Sequence, residues 1–153
     1  GLVPRVGGFE GGTVTWAPTN ITYGHNNRSA QFRLPQNRYC IENRAADMTM
    51  NVYLAFSMTL SAAVEGIKKK IHPGKPTDQD LYNMTDSEFK KLGIKRLPRN
   101  LLMAIEALKN DKLSDEVIGS VMKKSLLAYK NDEWERYHQA VTDWEVKEYL
   151  RLY

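Results

Sequence analysis

The sequence predicts an α+β fold, with a few antiparallel strands followed by a mainly helical C-terminal region. Three observations carry this. Up to Ala46 the chain is rich in Gly, Pro, Thr, Asn and Arg and holds short β-prone runs. After Asp47 apolar residues recur every three or four positions. The helical stretches then follow one another, punctuated by Pro and Gly. Strands segregated from helices in this way are the α+β pattern.

The elements follow in order. Thr13–Trp16 and Thr19–Tyr23 are rich in Thr, Val, Ile, Trp and Tyr, while Ala30–Leu34 and Tyr39–Asn43 alternate; each reads as a strand. So few strands leave unpaired edges, which hints at a sheet completed by something outside the chain. Gly7-Gly8-Phe9-Glu10-Gly11-Gly12 reads as a loop. It is not a Walker loop, because no Gly-Lys-Ser/Thr follows. Phe56, Leu60, Ala63, Ile67 and Ile71 mark an amphipathic helix that Pro73-Gly74 stops. Asp86–Lys91 is a short helix. Pro98 suits the first turn of a helix running to about residue 109. Ser114, followed by Asp115 and Glu116, caps another. Its apolar residues Ile118, Met122, Leu126 and Tyr129 share one face, and it continues past Trp134 and Tyr137. A last helix covers Asp143–Tyr153.

Composition narrows the function classes. The chain has 153 residues, 42% hydrophobic and 26% charged, which suits one globular domain with a core. The net charge of +4 is a mild excess, and the like-charged triplet Lys68-Lys69-Lys70 sits at a helix C-terminus, where cations complement the dipole. No nucleic-acid partner is expected. The most apolar stretch, Asn51–Val64, is too short to span a bilayer, so no membrane is expected either. The single cysteine, Cys40, rules out an internal disulfide and a CxxC site and fits a cytoplasmic setting. His25, His72 and His138 have no partner at metal-ligand spacing and read as surface or structural. Trp134, Tyr137 and Trp144 read as helix-packing aromatics.

The densest polar constellation runs from Asn26 to Asp47 and contains Asn27, Arg28, Arg33, Arg38, Glu42, Arg44 and Asp47. Residues two apart on a strand share a face, so Glu42 and Arg44 point the same way, with Cys40 beside them. Guanidinium forks match carboxylate and phosphate oxygens. A carboxylate among them suits a hard divalent cation that bridges phosphates. On spacing alone, a surface ladder of ion pairs is the ordinary reading of such a cluster.

Longer motifs bear on that choice. Asn27-Arg28-Ser29-Ala30-Gln31-Phe32-Arg33-Leu34-Pro35 resembles the N-R-S-A-x-x-R-x-P segment of glutamine synthetases. Ile41-Glu42-Asn43-Arg44-Ala45-Ala46-Asp47 resembles their I-E-x-R-x-x-D, and Asn51-Val52-Tyr53-Leu54-Ala55-Phe56 their N-P-Y-L-A-F, with Val52 in place of Pro. Ile71-His72-Pro73-Gly74-Lys75-Pro76, Asp80-Leu81-Tyr82 and Val141-Thr142-Asp143-Trp144-Glu145 continue the match over nearly the whole chain. The form Arg44-Ala45-Ala46-Asp47 resembles the branches that join glutamate to amines, or divergent synthetases near them.

The resemblance implies that residues 1–153 are the C-terminal part of a glutamine synthetase catalytic domain. Residues 1–46 would be strands and loops of its half-barrel active site, and 47–153 mostly helical. It implies an ATP-dependent ligase that makes a γ-glutamyl phosphate, which ammonia or a primary amine then attacks. ATP and Mg²⁺ or Mn²⁺ are the implied cofactors, and a homo-oligomer, hexamer or dodecamer, the implied assembly. By motif position Arg28 would be catalytic, contacting the transferring phosphate and the substrate. Arg33 would hold ATP phosphates, Glu42 would ligate the metal and Arg44 would pair with the glutamate carboxylate. Tyr82 lies where some members are adenylylated, and an exposed loop is expected there.

Four departures qualify the carry-over. Cys40 stands where the family has a second Arg before the Glu, and Arg38 would reach in instead. Trp16-Ala17-Pro18 replaces the family's E-A-P flap, so Trp16 would favour an alkylamine by cation–π contact unless Glu10 takes over the acid's task. The glycine-bearing loop before that flap is longer than in the family. Gly1 stands where the family has an Arg, so the chain is expected to begin just after that residue. Most metal ligands of the family lie further upstream, and the chain alone is expected to be inactive.

Overall fold

The computed structural model describes residues 17–150. The strand expected at Thr13–Trp16 and the Gly-rich loop lie outside them. Four strands and six helices follow one another, in two compact units divided between Asn100 and Leu101.

In the first unit β1 (Asn20–His25), β2 (Ala30–Leu34), β3 (Glu42–Asn43) and β4 (Lys95–Arg96) form one sheet in the order β3-β2-β1-β4. Strand order along the chain is as expected, but the sheet is mixed. β1 and β2 pair in parallel, with Asn20 opposite Ala30 and His25 opposite Leu34. Parallel neighbours normally need a long crossover. Here residues 26–29 alone make the return. Asn26 takes a left-handed φ of 53°, which Asn tolerates. A side chain on Gly24 would collide with the Thr77 carbonyl and crowd Asn27, so the return depends on a glycine there. β3 is shorter than expected, starting at Glu42 rather than Tyr39, and β4, absent from the sequence reading, closes the other edge against β1.

Helix α1 (Val52–Lys68) starts where the Asn51 side chain accepts from the Tyr53 and Leu54 amides. It ends before Pro73-Gly74 rather than at them. Lys70 adopts a φ of 51°, and the Lys70 and Ile71 amides return to Ile67 and Gly66 at 3.1 and 2.9 Å, closing the last turn. Only Glu65 and Lys68 are charged along α1, yet none of its residues is buried. The residues expected as its core face, Phe56, Leu60 and Ile67, are exposed among the described residues. Helix α2 (Asp86–Leu92) has a capping box between Thr85 and Glu88 and a left-handed Gly93 at its end. Its buried Phe89 lies under the Arg96 guanidinium of β4, which also pairs with Asp86.

The second unit contains α3 (Leu101–Asn110), α4 (Lys112–Ile118), α5 (Ser120–Gln139) and α6 (Asp143–Tyr149). Pro98 lies before α3 rather than in its first turn. The expected cap Ser114 is instead inside α4, and Asp111 is the cap, accepting from the Ser114 amide at 2.8 Å. One long helix was expected from there; Gly119, at φ 76° and ψ 154°, breaks it into α4 and α5. The break separates Ile118 from Met122, Leu126 and Tyr129, which stay together on α5; Met122 and Tyr129 are exposed. α5 packs on α3 and α4 around Ile105, Ser114 and Lys123. Among the described residues no helix is long and apolar enough to cross a membrane.

Candidate functional site

The register of β2 and β3 sets Arg33 directly opposite Glu42. The Arg33 Nη1 donates to both Glu42 oxygens, at 3.1 and 3.0 Å. Arg38 also donates to Glu42, and Arg44 Nη1 lies 4.0 Å from it, although Arg44 stands in the turn after β3 rather than on the strand its spacing suggested. Arg38 thus reaches the carboxylate from two residues before Cys40, whose exposed thiol neighbours it. The hydrogen bonds from Arg33 and Arg38 hold the Glu42 carboxyl below the usual carboxylate range.

Three guanidiniums on one carboxylate leave an excess of positive charge and of donors. Arg33 also donates to Asn26, at the edge of the polar constellation, yet its buried Nε finds no acceptor among the described residues. Such an arrangement can receive an anion with several oxygens. The fit to a divalent metal is different. Both Glu42 oxygens are held by arginines, and no three His, Cys, Asp or Glu side chains gather among the described residues. By themselves these residues do not form a metal site.

Arg28 follows a different plan. Its backbone carbonyl is fixed, accepting from Arg44 Nε at 3.1 Å and from the Tyr82 hydroxyl at 3.3 Å. Its exposed guanidinium has no hydrogen bond or ion pair among the described residues. Arg28 and Arg44 are therefore joined through the Arg28 backbone, and Arg33 and Glu42 through their side chains. Tyr82 sits in a turn but is half-buried rather than exposed, and burial raises its phenol pKa against the pull of Arg44. His25, read as surface or structural, pairs with Asp78: the His25 amide and Nδ1 meet the Asp78 carboxylate at 2.6 and 3.2 Å and lower its pKa. No sequence signal links residues so far apart. Trp16 and Glu10 lie outside the described residues.

The family model for the glutamine synthetase catalytic domain matches residues 12–149. The chain belongs to the glutamine synthetase family. It is 39% identical to a glutamine synthetase of Methanocaldococcus jannaschii over 137 residues, covering 88% of this chain and 30% of that one. It is 38% identical to a glutamate–methylamine ligase of Methyloversatilis universalis over 140 residues, covering 92% and 31%. The solved structure of a GmaS/ADP complex superposes with a TM-score of 0.77 at 33% identity, covering 89% of this chain and 30% of that one. The chain therefore spans about 30% of the length of the relatives it matches.

Proposed function

We propose that this chain supplies the arginine-lined part of an ATP-dependent ligase that joins glutamate to a primary amine through a γ-glutamyl phosphate. The observation that carries the reading is the cluster of Arg33, Arg38 and Arg44 on Glu42, to which Arg28 is joined by its backbone carbonyl through Arg44. Phosphoryl transfer needs positioning and charge neutralisation more than covalent chemistry from the protein. Arg33 would hold ATP phosphates, Arg28 the transferring phosphate and the substrate, and Arg44 the glutamate carboxylate. Glu42 would enter a Mg²⁺ or Mn²⁺ shell as one ligand, the remaining donors coming from outside the described residues. The rest of the reading is a cytoplasmic homo-oligomer, hexamer or dodecamer, in which residues 1–153 lack turnover by themselves.

Ammonia is the second reading, favoured by the near-equal identity to the glutamine synthetase and to the methylamine ligase, 39% and 38%. The amine reading rests on Trp16, whose ring face would attract an alkylammonium where the family has a carboxylate. The test is kcat/KM for ammonia, methylamine, ethylamine and a diamine with the full-length enzyme. The expected outcome is a preference for an amine that Trp16→Ala reduces. A clear preference for ammonia, lost on Glu10→Ala, overturns it. A full-length protein that neither binds nucleotide nor releases phosphate is a non-catalytic relative.

A further inference from the structure

Between β1 and β2 the chain turns through Asn27, Arg28 and Ser29, and each is tied to the stretch 77–82. The Asn27 amide uses its full hydrogen-bonding capacity. Its Nδ2 donates to the Thr77 and Gln79 carbonyls at 2.6 and 2.9 Å, and its Oδ1 accepts from the Ser29 amide and hydroxyl at 2.9 and 2.7 Å. The buried Ser29 hydroxyl in turn accepts from the Leu81 amide at 3.1 Å. Arg28 lies between these two residues. Its carbonyl is the point where the Tyr82 hydroxyl and Arg44 Nε meet. The backbone of Arg28 is thus held on both sides and at its own carbonyl, while its guanidinium is left without a partner among the described residues.

We infer that Asn27 is a positioning residue: its amide clamps the Arg28 backbone to the 77–82 stretch, and so aims the Arg28 guanidinium and holds Arg44 in register with it. The inference rests on the role proposed above for Arg28 and adds what fixes it. A fully satisfied amide is directional at both ends, so shortening the side chain or changing its polarity loosens the link. Asn27→Asp retains the acceptor but turns a carboxylate oxygen toward the Thr77 and Gln79 carbonyls. Among the described residues the Arg28 side chain has no tether of its own, so its aim depends on its backbone. Groups that orient metal-ligating side chains typically contribute roughly 10–100-fold to activity, and an effect of the same order is expected for one that orients an arginine.

The test is a double-mutant cycle in the full-length enzyme, reading kcat and KM for ATP and glutamate together with ADP affinity. Asn27→Ala and Asn27→Asp are each expected to lower kcat/KM by roughly 10–100-fold. In an Arg28→Ala background the same changes should have little further effect, because nothing remains to aim. A merely structural Asn27 gives the opposite: equal losses in both backgrounds, accompanied by a lower thermal midpoint. Tyr82→Phe, which removes one hydroxyl from the Arg28 carbonyl, keeps the test alive if the Asn27 variants do not fold; it is expected to lower kcat/KM a few-fold, and only when Arg28 is present. Additive losses, or folded Asn27 variants with unchanged kcat/KM, overturn the proposal. Unchanged turnover in Arg28→Ala alone overturns the role of Arg28 itself, and the positioning role falls with it.

Discussion

The unit ending at Asn100 and the unit beginning at Leu101 place their polar groups differently. In the first, side chains reach across some fifty residues of chain: His25 to Asp78, Asn27 to Thr77 and Gln79, Ser29 to Leu81. In the second, most polar contacts stay within one helical turn, as in Asp132 with Arg136 and Lys130 with Glu133. Pairs of the second kind are exposed and contribute a few tenths of a kcal/mol each. Bonds of the first kind hold a backbone that secondary structure alone would not, namely the parallel return from β1 to β2. Arg28 lies on that return, and Arg33, Arg38, Glu42 and Arg44 lie on β2, β3 and the residues next to them. Long-range polar ties therefore hold the loop that carries Arg28, while the contacts among the charged side chains around Glu42 are closer in sequence.

The sharpest way to break this contrast is at Glu42. In the full-length enzyme Glu42→Gln keeps the shape but leaves three guanidiniums around a neutral group, and kcat/KM is expected to fall roughly 10–100-fold. A pH series adds a second reading. The Glu42 pKa is lowered from 4.5 in the folded protein. Its stabilising contribution is therefore fully present above that value and is lost as pH falls through the lower folded value. Thermal midpoints in acid should drop less steeply with Gln at this position than with Glu. Parallel acid limbs for the two proteins would show that the cluster does not hold the sheet.

Much of this was legible in the sequence, and the limits are physical. Ala30–Leu34 is the strand its alternation predicts. Glu42 and Arg44 do come within 4.0 Å, but β3 ends at Asn43 and Arg44 lies in the turn after it, so a shared strand face is not what joins them. The family resemblance of these stretches agrees with the family match. What escaped has its cause elsewhere in the chain. The parallel pairing depends on Gly24 fitting beneath Thr77, far along the sequence. Asn27 stood among the polar candidates, but its partners are backbone carbonyls, which have no sequence signature. Gly119 was passed over because the apolar period runs on through it, although its φ of 76° ends α4.

Lys123 is the exception that sharpens the comparison in the second unit. It is 5% exposed, donates to the Asp111 carbonyl at 2.7 Å and pairs with Asp115 at 2.9 Å, joining α5 to the start of α4. This is a long-range tie in a unit otherwise built on local ones. Lys123→Ala loses both the charge-assisted bond and the packing of the stem, and is expected to lower stability by roughly 2–3 kcal/mol. Lys123→Met keeps the stem and should cost about 1 kcal/mol. Denaturant midpoints measure both. Equal losses would assign the whole contribution to the bond and none to packing.

The smallest test uses one device that occurs in both units. Thr85 with Glu88 and Thr142 with Glu145 form the same capping box, at the starts of α2 and α6. In each the bonds from the threonine hold the glutamate pKa below its usual value, so both boxes weaken as pH falls through that lower value. What differs is the helix each box starts. α2 buries Phe89 beneath Arg96 and is thereby joined to the sheet; α6 has no buried residue. Loss of a cap lowers the stability of the whole protein only where the helix is coupled to a core, and otherwise appears as local fraying. Thr85→Ala is therefore expected to cost about 1 kcal/mol in global unfolding. Thr142→Ala should leave the midpoint in place and raise amide exchange only around Glu145. Thr→Ser at either position should restore the native behaviour, since the hydroxyl is the group that accepts. A Thr142→Ala protein that loses as much global stability as Thr85→Ala would mean that α6 is coupled to a core as firmly as α2.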